Sequence, residues 1–158
     1  MKARLLTALT LAGICAAGCA PRWDLDQVPL PGFQASDEEQ IRAVLIDVRR
    51  GMENRQPFRI LAHVSRGYQD PNGRTYQDLY GYFEDFFERY RNIRIERVRP
   101  RILVLGDHAQ VLDTFATIAE PLDPTVDVPL NVEGQVYIYL DRIDGRWRIV
   151  SWDSAQPR

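Results

Sequence analysis

The chain is 158 residues long, 45% hydrophobic and 27% charged, enough for one domain with its own core and ordinary for a globular protein. Its formal net charge is −2, and setting aside Lys2 and Arg4 near the start deepens the acidic excess, which argues against nucleic acid as a partner. Its two cysteines, Cys15 and Cys19, sit near the N-terminus, so the chain beyond residue 19 has no internal disulfide to rely on.

Met1-Lys2-Ala3-Arg4 is a basic start, Leu5 to Ile14 is an apolar run, and Ala16-Ala17-Gly18 supplies small residues. That order reads as a signal peptide over residues 1–18. The run is short of the roughly 20 apolar residues that span a bilayer. Ala16-Ala17-Gly18-Cys19 resembles a bacterial lipobox, with Ala16 where Leu is usual. The resemblance implies cleavage before Cys19 and acylation of its thiol, which would otherwise be free in an oxidising compartment. Buried acyl chains contribute roughly 0.8 kcal/mol per CH₂, so two or three of them hold a small protein on a membrane. Ala20 after the cysteine implies, on the same resemblance, an outer-membrane lipoprotein of the cell envelope. A plain secretory signal with an incidental cysteine is the alternative.

Residues 19–35 carry Pro21, Pro29, Pro31 and Gly32 and read as a lipidated tether, leaving 36–158 for the globular domain. Ser36 to Glu39 forms a capping box, and Ile41, Val44, Leu45, Val48 and Met52 follow at helical spacing. Pro57 suits the first turn of a second helix that includes His63, with Phe58, Leu61 and Val64 as its buried side. Tyr68-Gln69-Asp70-Pro71-Asn72-Gly73 has turn chemistry. Thr75 and Asp78 cap a third helix bearing Leu79, Tyr82, Phe83, Phe86, Phe87 and Tyr90.

After Asn92 the period changes to two. Ile93 to Leu105 reads as a long strand with a slip at Val98-Arg99-Pro100, since proline lacks a donor. Gly106-Asp107 turns into a return strand from Ala109 to Ile118, and Pro121, Pro124 and Pro129 mark a loop. Val132 to Leu140 and Trp147 to Asp153 are further strands joined at Asp144-Gly145. Helices followed by an antiparallel meander give an α+β class.

The capped first helix, the Tyr68–Gly73 turn before an aromatic helix, and the meander with Gly106-Asp107-His108-Ala109-Gln110-Val111 and Asp144-Gly145-Arg146-Trp147-Arg148-Ile149 together resemble the NTF2-like (SnoaL-like) superfamily. The resemblance covers about residues 36–153. It implies a cone-shaped fold in which N-terminal helices pack on a curved antiparallel sheet. The superfamily contains isomerases, hydrolases, dehydratases, transport factors and members without activity, so the fold leaves function open.

Asp70 before Pro71 matches the position of the base in the superfamily's ketosteroid isomerases, and it is a catalytic candidate on that ground. The first helix offers no tyrosine partner for it, and Asp before Pro-Asn-Gly is also complete turn chemistry. Asp113 is the second candidate. By alternation it shares a face with Ala109, Val111 and Phe115, unless a bulge turns it to solvent or it pairs with an arginine. Limonene-epoxide-hydrolase-like members need an Asp–Arg–Asp set, for which this chain has many residues and no distinctive spacing. Tyr68, Phe83, Phe87, Phe115, Trp147, Ser151 and Asp153 are assigned to a pocket. Tyr137, Tyr139, Val150 and Trp152 are assigned to the opposite sheet face, as an interface with a second copy or an envelope protein. His63 and His108 lack metal spacing, so no metal and no cofactor is expected.

The leading expectation is therefore a membrane-anchored lipoprotein whose non-catalytic module binds a small apolar ligand or a protein partner. The alternatives are an isomerase- or hydratase-type enzyme with a pocket Asp as general base, and a dimeric structural protein of the envelope.

Overall fold

The computed structural model describes residues 35–155. The signal segment, Cys19 and the proline-rich stretch as far as residue 34 lie outside the described residues. Three helices come first: α1 (Asp37–Glu53), α2 (Pro57–Leu61) and α3 (Tyr76–Arg89). Five strands follow: β1 (Tyr90–Arg97), β2 (Arg101–Leu105), β3 (His108–Pro121), β4 (Leu130–Ile143) and β5 (Arg146–Ser154).

The helix starts are local. Glu39 N–H donates to Ser36 Oγ at 3.3 Å and Ser36 N–H donates to the Glu39 carboxylate at 2.7 Å, a reciprocal capping box. At α3 the Thr75 N–H and hydroxyl both donate to Asp78 Oδ2 at 2.7 Å. α2 is one turn, and Pro57 opens it. His63 lies in the turn after α2, not within it. Phe58 also differs from expectation: it is exposed and packs on the Tyr80 ring at 5.2 Å, while Ile60 and Leu61 take the buried side. Gly51 allows this close approach of α1 and α2, because a Cβ there would come within 2.7 Å of Ile60 Cγ1.

The strands form one antiparallel sheet in the order β1-β3-β4-β5, and β2 pairs with β3 alongside β1. β3 is long enough to serve both: residues 115–121 pair with β1 and residues 108–112 pair with β2. The interval Val98-Arg99-Pro100 belongs to neither strand, as the missing proline donor leads one to expect. Asp113 and Thr114 of β3 face that interruption. Asp144 and Gly145 both take positive φ, 50° and 72°, in the two-residue turn between β4 and β5.

A second irregularity lies in β5. Tyr139 stands opposite Ser151 but Leu140 stands opposite Ile149, so Val150 is bulged out of the register. The segment after α2 explains it. Ile149 N–H donates to His63 O at 2.9 Å, and Ile149 O and Val150 O accept from Ser65 and Gln69 N–H at 2.8 and 3.1 Å.

The core fills the space between the helices and one sheet face. Ile41, Ile60, Val111, Ile138, Leu140 and Ile149 are fully enclosed, each contributing roughly 1.5–3 kcal/mol through burial. Phe83 and Phe87 stack along α3 at 6.2 Å between centroids.

Candidate ligand-binding site

A cavity of about 260 Å³ lies where the helices do not fill the concave sheet face. α1 contributes Val48 and Met52, and α3 contributes Leu79, Tyr82 and Phe83. The sheet contributes Ile95, Arg97, Asp113, Phe115, Thr117, Val136, Ile138 and Trp152, while Tyr68 and Arg74 come from the connection before α3. The wall is mainly apolar and aromatic, with a few polar groups, which is the usual make-up of a small-molecule site. Tyr82 is half-exposed at the edge, with the Arg74 guanidinium 5.1 Å above its ring.

Among the described residues that line this cavity, Asp113 is the one acid. It is 1% exposed, and neither carboxylate oxygen accepts a hydrogen bond. Arg97 Nε lies 3.2 Å from Asp113 Oδ2, but its N–H is not aimed at that oxygen, so the pair is an ion contact without a hydrogen bond. The guanidinium is held instead through Nη1, which donates to Leu45 O at 3.0 Å. Burial pushes the Asp113 carboxyl up from the usual carboxylate range, and the nearby Arg97 charge only partly offsets this. Burial likewise lowers the Arg97 value despite Asp113. A buried carboxylate without hydrogen bonds is costly, and sites that keep one often use it.

Tyr68 is almost wholly buried beside Trp152, ring centroids 6.1 Å apart and edge to face. Its hydroxyl is pushed up to about 12, first by burial and then by the Asp70 charge. It is therefore a proton-bearing group at neutral pH.

Asp70 has a different setting. Its Oδ1 accepts Asn72 and Arg74 N–H at 2.9 and 3.0 Å, and its Oδ2 accepts Arg74 Nε at 2.7 Å. Burial raises its proton affinity, but the Arg74 and Asn72 hydrogen bonds outweigh this and hold the carboxyl below its ordinary value. Asp70 is absent from the described lining of the cavity, and its carboxylate organises the turn that places Tyr68 and Arg74.

The pocket assignments divide. Tyr68, Phe83 and Phe115 line the cavity. Phe87 and Trp147 are buried in the core away from that lining, and Trp147 Nε1 donates to Asp37 Oδ1 at 3.3 Å. Ser151 and Asp153 stand opposite Tyr139 and Tyr137 and so share the outer sheet face with them. Trp152 stands opposite Ile138 and lines the cavity, although plain alternation places it outside. The Val150 bulge exchanges these faces. Tyr137 and Tyr139 do lie together on the outer face, 6.4 Å between centroids. Sequence reasoning missed Arg97, Tyr82 and Trp152 as cavity residues. For Arg97 the slip at Val98–Pro100 was the available clue.

Among the described residues no three His, Cys, Asp or Glu side chains cluster as metal ligands. His63 and His108 each meet one carboxylate, Asp47 at 2.8 Å and Asp141 at 2.7 Å. Among those residues no helix is long and apolar enough to cross a membrane.

No protein-family model and no curated protein sequence matches the chain. Solved structures do match. A candidate scytalone dehydratase from Novosphingobium aromaticivorans is 16% identical with a TM-score of 0.65, covering 77% of this chain and 89% of that one. A type 2 hexachlorocyclohexane dehydrochlorinase (LinA) is 12% identical with a TM-score of 0.65, covering 77% and 85%. A nuclear transport factor 2 (NTF2-like) superfamily protein from Salmonella enterica is 15% identical with a TM-score of 0.64, covering 77% and 91%. At such identities the likeness concerns the fold: helices on a curved antiparallel sheet, in the NTF2-like, α+β arrangement.

Proposed function

We propose that this chain is a lipid-anchored envelope protein whose cone binds a small, mainly apolar molecule carrying one hydrogen-bond donor. The observation that carries the reading is Asp113, buried in an aromatic cavity with neither carboxylate oxygen accepting a hydrogen bond and only the Arg97 ion contact beside it. A donor on the ligand would relieve the cost of that burial, worth about 1–3 kcal/mol for one buried group left unsatisfied. Phe83, Phe115, Ile138 and Trp152 supply the apolar contact. Anchoring rests on the signal-like residues 1–18 and on Cys19.

A second reading is proton transfer on the same molecule. It is favoured by the raised proton affinity of Asp113, with Arg97 close by. A carboxyl tuned upward by burial is better matched to acid–base work near neutral pH. Two structural neighbours carry the names of a dehydratase and a dehydrochlorinase, which denote eliminations.

Mass spectrometry of the native protein, extracted from the envelope without denaturation, tests both parts. The expected result is an acylated N-terminus at Cys19 and one small molecule bound per chain. An unmodified Cys19 would overturn the anchor, and an empty wild-type chain would overturn the binding reading. The recovered molecule, returned to the protein in deuterium oxide, separates the two readings. Exchange lost in Asp113→Asn supports catalysis, and no exchange leaves binding as the function.

A further inference from the structure

A second recess, about 210 Å³, lies between α1 and the Val98–Pro100 interruption. Arg42, Arg49, Arg97 and Arg99 line it, with Asp113 as its one acid. Its other walls are Leu45, Ile46, Val98 and Pro100. Arg42 gives one nitrogen to Glu38 at 3.1 Å, and Arg49 Nε is 3.9 Å from Glu53. Even with Glu38 and Glu53 counted beside Asp113, the cleft keeps a positive excess.

Two of these arginines keep a donor that the protein does not use. Nε of Arg49 and Nε of Arg97 are both buried without a hydrogen-bond acceptor. Glu53 Oε1 is already taken, accepting from the Ile95 N–H at 3.0 Å. Arg49 and Arg97 also repel each other, and the Arg49 charge adds to the burial that lowers Arg97. Two like charges with buried, unused donors in one recess need an acceptor that carries negative charge. The planar guanidinium fork matches carboxylate and phosphate oxygens.

We infer that this cleft is an oxyanion site, taking the carboxylate or phosphate group of a small molecule, separate from the apolar cone and sharing only the Arg97–Asp113 pair with it. The bound oxyanion bridges Arg49 and Arg97, with Arg42 and Arg99 at the rim.

Titration of the full chain with benzoate and, in parallel, with inorganic phosphate, followed by backbone amide shifts, tests this. Saturable binding at about 1 mM or tighter in either arm is expected, with shifts at Leu45, Val98 and Arg99. Arg49→Gln should weaken it about tenfold or more, as loss of a charge-assisted bond does, and Arg42→Gln provides a second variant should the first fold poorly. Arg146→Gln, at the first residue of β5, should leave affinity unchanged. Absence of saturation in both arms would mean that the cleft holds water only. Equal weakening by Arg146→Gln would mean charge attraction without a site. Shifts centred on Phe83 and Trp152 would put the anion in the cone. Each of these results overturns the inference; the first two are silent on the cone, and the third shows the cone taking the anion in place of the cleft.

Discussion

Asp113 has its setting because of its place on β3. It faces the three-residue gap between β1 and β2, where Pro100 ends the ladder, yet the β3 alternation still turns its side chain inward beside Arg97. The consequence for stability has a definite sign. The folded chain holds the Asp113 proton to higher pH than the unfolded chain, whose value is about 3.9. Unfolding in that interval releases a proton, so the Asp113 contribution is fully present below about 3.9 and is lost as pH rises through the folded value. Paired urea unfolding of wild type and Asp113→Asn should show wild type losing stability relative to the variant as pH rises from about 4. A relative gain instead would mean that Arg97 dominates the carboxyl. Asp70, the candidate favoured by its motif, shows the opposite balance, because a turn rich in N–H groups lowers its proton affinity.

Among the elements, α1 and α3 were legible because their caps are encoded within four residues, Ser36 to Glu39 and Thr75 to Asp78. The two tight turns and the break at Pro100 were legible for the same reason. The outward placement of Ser151 and Asp153 was not. It follows from the Val150 bulge, whose backbone partners are His63, Ser65 and Gln69, more than eighty positions earlier. Period-two reasoning carries no information about such a partner, so Trp152 exchanged faces with its neighbours. The short α2 is held by a similar long-range device. Asp47 of α1 accepts from Arg59 Nε at 2.8 Å and meets His63 Nε2 at 2.8 Å, and these bonds hold its carboxyl at about 2. Asp47→Asn should therefore cost about 1 kcal/mol at neutral pH, after allowance for solvent screening of a partly exposed pair. This stabilisation is present above about 3.9 and is lost as pH falls through about 2. Thermal unfolding of the variant across that range checks it; a cost that persists in strong acid would point to packing instead of charge.

For the molecule as a whole, one curved sheet with helices over its concave side leaves a cavity of about 260 Å³. The α+β class was legible from element order, because helices preceding a meander have few ways to cover one sheet face, and the cone from the NTF2-like resemblance. The cavity's chemistry was only half legible: its aromatic residues showed in the α3 stripe, while the Asp113–Arg97 pair needed the register of two strands. The central claim is that the cone binds an apolar molecule through a hydrogen bond to Asp113. Phenol and toluene have nearly the same shape and differ in one donor, so their affinities for the full chain, measured by amide shifts, test it directly. Phenol should bind about tenfold more tightly than toluene in wild type, with shifts at Phe83 and Trp152, and the difference should vanish in Asp113→Leu. Equal affinities in wild type, or a preference for phenol that survives Asp113→Leu, would contradict the account.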